Sequence, residues 1–95
     1  MNPTTQAWMV KIGSTIRERR DRKSWSQDGL AVASEVSRRT ISDMENGERS
    51  YRIDRLLAVM YPLDIDPWSF FGGTEKIRPR RNIEHEVLHD ALDEI

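Results

Sequence analysis

The chain contains no cysteine, which rules out both a disulfide frame and a thiolate metal site. Aromatic residues make up only 7% of it, and no apolar run approaches the length of a membrane span. The N-terminus lacks the basic-then-apolar pattern of a secretory signal, so a cytoplasmic protein is the expectation. No segment alternates with period two, so no sheet is expected. Nor is there an excess of positive charge. The formal net charge is −1, with the acidic surplus lying beyond residue 73. Total charge thus gives no sign of a polyanionic partner, and attention moves to local clusters. Arg22, Lys23, Arg38, Arg39, Arg49 and Arg52 fall at or near the ends of expected elements. A few of them converging on one surface would set phosphate affinity regardless of the total.

What is present is helical grammar in 95 residues, enough for one small domain. Asn2-Pro3 reads as a cap followed by proline in the first turn. Trp8, Met9, Ile12 and Ile16 then mark the inner stripe of a helix running to about Arg22. The next step on that stripe is Arg20, and a charge on a core face needs a partner. Ser26 caps a second, short helix over about Gln27 to Ser34. Asp28 sits at the positive end of its dipole, and Trp25 and Leu30 form a hydrophobic staple. The same grammar repeats at once with Val36, Ser37 as cap and Ile41 as staple partner. Two helix starts so close force a tight turn at 34–36. The third helix runs to about Asn46 and stops at Gly47.

A fourth helix is expected from about Arg52, with Ile53, Leu56, Leu57 and Met60 inside and Pro62 ending or kinking it. Asp66-Pro67 starts a short fifth helix with Trp68 and Phe71, stopped by Gly72-Gly73. Trp8, Trp25, Trp68 and Phe71 read as core or staple residues. A basic linker follows over 74–82. Ile83, Val87, Leu88, Leu92 and Ile95 then mark a last amphipathic helix over 83–95, suited to dimerisation or to contact with another protein. Inside it, His85 and His89 fit H-E-x-x-H, a spacing that on a helix can bind zinc. With no third ligand evident and no sheet to form a cleft, the reading is a helix bearing exposed histidines. No metal, no cofactor and no enzymatic activity are expected.

From Ile12 to Phe71 the chain resembles the Cro/repressor family of helix-turn-helix DNA-binding domains. The residues that carry the likeness are Ile16-Arg17, Arg20, Ser26-Gln27, Leu30-Ala31, Val36-Ser37, Thr40-Ile41-Ser42, Glu45-Asn46-Gly47, Leu56 and Leu63-Asp64-Ile65. The resemblance implies an all-α domain of five helices, here over 6–73, that binds double-stranded DNA as a homodimer. It makes Gln27 a phosphate anchor at a helix start. It makes Arg38 and Arg39 the first exposed turn of a recognition helix, where arginine reads guanine. Ser37, Ser42 and Asp43 share that DNA-facing surface. Asn46 touches the backbone after the helix, and Arg49 and Arg52 are further phosphate candidates. Arg20 and Glu45 both extend core stripes and are expected to pair. Two departures stand out: Glu35 replaces the glycine usual in the turn, and Ser34 replaces an apolar residue.

The reading is a transcription regulator, a repressor that binds a palindromic operator with its third helix in the major groove. The alternatives are an antitoxin or restriction-modification controller that regulates its own synthesis, or an adaptor that uses the fold to bind protein.

Overall fold

A computed structural model describes residues 2–72. The expected linker over 74–82, the segment 83–95 and the histidine motif lie outside the described residues. Within 2–72 every element is helical. Helix α1 spans Pro3–Arg22, and its cap is Asn2, whose Oδ1 accepts from the Thr5 N–H at 2.8 Å. Arg19, Arg20 and Arg22 in its last turn suit the negative end of the helix dipole. Helix α2, Gln27–Ser34, starts at Ser26, whose hydroxyl accepts from the Gly29 N–H at 2.9 Å. Helix α3, Arg38–Glu45, starts at Ser37, whose hydroxyl accepts from the Thr40 N–H at 3.1 Å. Helix α4 covers Ile53–Met60. Pro62 does not extend it, and the chain tightens into one 3₁₀ turn over Tyr61–Leu63. Helix α5, Pro67–Phe70, is capped by the Asp66 carboxylate.

The core gathers Ile12 and Ile16 from α1, Leu30 from α2, Ile41 and Met44 from α3, and Leu56, Val59 and Met60 from α4. Val36, Leu63 and Ile65 close it from the turns, and half-buried Trp25 packs against it. Helix α3 rests on α1 and α2, and α4 rests on α2 and the 3₁₀ turn. The closest approach is at Gly13. A Cβ there would lie 2.7 Å from the Glu45 carbonyl oxygen and hard against that of Met44. The end of α3 therefore sits directly on the α1 backbone.

Two expected packing assignments are corrected. The inner face of α4 is Leu56, Val59, Met60 and then Leu63, while Ile53 and Leu57 face outward. The sequence holds two overlapping stripes that share Leu56 and Met60. The turn at Pro62 swings Leu63 over the core and so selects the stripe that includes Val59. Second, Trp8, Trp68 and Phe71 are not core residues, since each is more than a third exposed. Met9 takes the buried position on α1. Trp8 instead meets Phe70 and Phe71 at centroid distances of 6.1 and 5.2 Å in a satellite cluster, with Lys11 over the Trp8 ring.

The helix junctions share one device. Ser24, Glu35, Arg49 and Asp64 all adopt left-handed backbone with φ of 57–58°. Glu35 occupies this conformation in the turn between α2 and α3, while the buried Ser34 hydroxyl beside it donates to the Leu30 carbonyl at 2.7 Å. A side chain costs roughly 1 kcal/mol in that region, partly offset by the entropy glycine adds to the unfolded chain. Glu35→Gly should therefore raise the melting temperature by a few degrees. A thermal melt followed by circular dichroism checks this, and a lower melting temperature would show that Glu35 is not strained there.

Candidate nucleic-acid interface

Ser37 caps α3 and turns Arg38 and Arg39 outward at its first turn, where both are exposed. One turn later Ser42 and Asp43 lie half-buried on the same side. With Gln27 from the first position of α2, these four line a single shallow hollow. Nε of Arg38 is 3.4 Å from Asp28 Oδ1, a pair of exposed groups worth little in water. Arg39 has no ion-pair partner among the described residues. Arg49 has none either and stands exposed on its left-handed backbone. Arg52 pairs with Asp54 at 3.1 Å. Asn46 ends α3 and is exposed.

Behind this surface lies the Glu45 carboxylate, whose side chain has 0% exposure. The Arg20 guanidinium clamps it through two bonds, Nε to Oε2 at 2.7 Å and Nη2 to Oε1 at 3.0 Å. Arg20 also donates to the Trp25 carbonyl at 2.7 Å, which fixes the loop before α2. Gln27 Nε2 donates to Glu45 Oε1 at 3.2 Å. Arg17 Nε donates to the same oxygen at 3.3 Å, and its Nη2 reaches Asn46 Oδ1 at 3.2 Å. Burial pushes the Glu45 carboxyl pKa up, but the bonds from Arg20, Gln27 and Arg17 and the Arg20 charge outweigh it and hold it below the ordinary 4.5.

Gln27 spends one amide hydrogen on Glu45, and the other has no partner among the described residues. Its backbone lies in the first turn of α2, where N–H groups lack partners within the helix and favour an anion. The role of Arg17, which holds both Glu45 and Asn46, is not evident from the sequence reading. Its one signal is the spacing of three from Arg20, which puts the two guanidinium groups on neighbouring turns of one face. The link from Gln27 to Glu45 joins separate elements and has no local signature.

No group of His, Cys, Asp and Glu suited to a metal occurs among the described residues. Among those residues no helix is long and apolar enough to cross a membrane.

Two short helices packed across a tight turn, the second exposing its first turn, form a helix-turn-helix, the architecture of a DNA-binding module. The profile of the family described as Helix-turn-helix matches residues 16–67, and the chain belongs to this XRE-type family. Two solved structures are similar, those of the wild-type restriction-modification controller protein C.Esp1396I and of a point mutant of it. Each is 30% identical over 66% of this chain, with a TM-score of 0.58, and the matches cover 82% and 80% of the neighbours respectively. Among curated proteins none matches. Family and neighbours together make the chain a DNA-binding transcriptional regulator and point away from enzymatic activity.

Removing one partner of a buried ion pair strands the other, so Arg20→Ala should cost about 3–5 kcal/mol in a denaturant titration. A loss below about 1 kcal/mol would mean that water replaces the guanidinium. A carboxyl whose pKa is depressed on folding contributes stability above its unfolded value of 4.5, and that stability disappears as pH falls through the lower folded value. Melting temperature should therefore fall more steeply below pH 4.5 in the wild type than in Glu45→Gln. Equal slopes would assign the acid sensitivity to other carboxylates.

Proposed function

We propose that the chain is a sequence-specific repressor that binds a palindromic operator as a homodimer, with α3 laid in the major groove. The observation that carries this reading is the convergence of Gln27, Arg38, Arg39, Ser42 and Asp43 on one hollow. In it, Arg39 is free to read a base edge and Arg38 leaves only a weak surface pair to do so. Asp43 accepts from a cytosine amino group or orients an arginine. Ser37, Asn46, Arg49 and Arg52 hold the sugar-phosphate backbone, and Gln27 anchors a phosphate at the start of α2. Arg20 and Glu45 fix α1 against α3. Residues 83–95 supply a further contact, to the second subunit or to another protein.

A second reading within the same class is a controller of restriction-modification genes. It is supported by the 30% identity to a controller protein over most of that protein's length. The two readings separate on where the selected site lies. A selected site next to restriction-modification genes would favour the controller.

The test is selection of bound sites from a random duplex library at near-physiological salt. An inverted repeat with half-sites about one turn, roughly 34 Å, apart is expected. Weak, salt-sensitive binding without enrichment would overturn the reading and favour a protein-binding adaptor. On the selected site, Arg39→Ala should relax preference at one base pair, at a cost of about 1–3 kcal/mol. Gln27→Ala should weaken binding to all sequences alike. Equal loss of specificity in both variants would contradict this division of labour.

A further inference from the structure

Asn46 stands where the chain leaves α3, and hydrogen bonds fix its backbone on both sides. Its own N–H donates to the Ser42 carbonyl at 3.0 Å. The Gly47 N–H donates to the Met44 carbonyl at 3.1 Å, and the Glu48 N–H to that of Asp43 at 3.0 Å. Gly47 closes this end in left-handed backbone, with the Val10 Cα 3.4 Å from where a Cβ would lie. The freedom left to Asn46 is therefore in its side chain. One end of that carboxamide accepts hydrogen bonds and the other donates them. Half a turn about its last bond exchanges the two. A phosphate oxygen only accepts, so the amide serves it in one orientation and repels it in the other.

We infer that Arg17 is a positioning residue, which fixes the Asn46 amide so that Nδ2 faces outward as a donor to the DNA backbone. The inference rests on the backbone contact given to Asn46 in the proposed function. Arg17 Nη2 donates to Asn46 Oδ1 at 3.2 Å. A guanidinium has donors and no acceptor, so only the oxygen end of the amide can face it. Nδ2 is then turned away from Arg17, and it has no partner among the described residues. Arg17 is itself anchored, because its Nε donates at 3.3 Å to the Glu45 carboxylate, which is shut away from water. Its half-exposed side chain thus runs from that buried charge to the surface. The rigid planar fork carries both bonds at once, which a single ammonium on a flexible stem does less well. Arg20 holds the same carboxylate, so the orientation of the amide is referred to the fixed interior.

Two other roles for Arg17 make different demands. A guanidinium laid directly on a phosphate displaces a counterion, and its loss makes the salt dependence shallower. A neutral amide on a phosphate displaces none, so a residue acting through Asn46 changes affinity and leaves the salt slope alone. A purely structural role through Glu45 weakens binding whether or not Asn46 is present. Action through Asn46 disappears once that amide is removed.

A double-mutant cycle in the full chain tests the assignment, with affinity for the selected duplex read by fluorescence anisotropy over a range of salt. Asn46→Ala should lose about tenfold in affinity. Arg17→Met keeps the stem and removes the donors; it should lose a similar factor with an unchanged salt slope. Adding Asn46→Ala to Arg17→Met should cost less than about twofold more. Single losses that multiply to about a hundredfold would overturn the inference. So would a slope shallower by about 0.9 in Arg17→Met, which would make Arg17 a direct phosphate contact. Asn46→Ala that binds like the wild type would instead sink the backbone contact assigned to Asn46, and the inference with it. Circular dichroism at the assay temperature checks that all four proteins are folded. A second measurement needs no variant and no DNA: nitrogen-15 relaxation of the Asn46 side-chain amide in the wild type. An order parameter above about 0.6 is expected, and a lower value would reveal a freely turning amide and overturn the inference.

Discussion

A carboxylate shut away from water must find its counter-charges inside the protein, and Glu45 finds its donors on two elements besides its own. Arg20 and Arg17 reach it from α1, and Gln27 reaches it from the first residue of α2. These bonds are only as good as the approach of the helices that carry them. Gly13 permits that approach, because with no Cβ the α1 backbone can lie against the last carbonyls of α3. The angle between the two helices of the DNA-binding motif is thereby set from behind, by a charge that never meets solvent. Burying it costs several kcal/mol, which the geometry returns only when all donors are in place. Small displacements of α3 are therefore resisted, and its exposed turn is held as a rigid probe.

On the outer surface the balance is the reverse. The arginines that face outward are tied by weak surface pairs, Arg38 to Asp28 and Arg52 to Asp54, or have no ion-pair partner among the described residues. Exchanging such a pair for a phosphate gives up little. The net charge of −1 is thus compatible with a polyanionic ligand, because the cations near α3 are cheaply released while the acidic surplus lies in another part of the chain.

Most helix boundaries were legible because the starts of α1, α2, α3 and α5 have a local chemical signature, whereas α4 starts without a side-chain cap. Asn2, Ser26, Ser37 and Asp66 each accept from a backbone N–H three residues on. Choice of face was less legible. The α4 sequence supports two apolar stripes, and only the turn imposed by Pro62 decides between them. Trp8 fits the α1 stripe by spacing, yet Met9 takes the buried place and Trp8 joins Phe70 and Phe71, which come from the far end of the fold. In the candidate site, the positions of Arg38, Arg39, Ser42 and Asp43 on one side of α3 follow from helical periodicity alone. The tie between Gln27 and Glu45, and the reach of Arg17 to Asn46, depend on how separate helices pack, and no window along the chain contains that information.

The left-handed corners at Ser24, Glu35, Arg49 and Asp64 bear on how long such a protein lasts in a cell. Together they forgo up to about 4 kcal/mol, less the entropy that glycine would add to the unfolded chain, against a typical total stability of about 5–15 kcal/mol for a whole domain. A chain held back in this way opens more often than one with glycine at its bends, and each opening exposes it to proteases. Any ligand that binds only the folded form shifts that equilibrium toward the closed state. Copies seated on DNA would then outlive copies in excess of the available sites. Surplus regulator would be cleared through strain distributed over the turns between the helices.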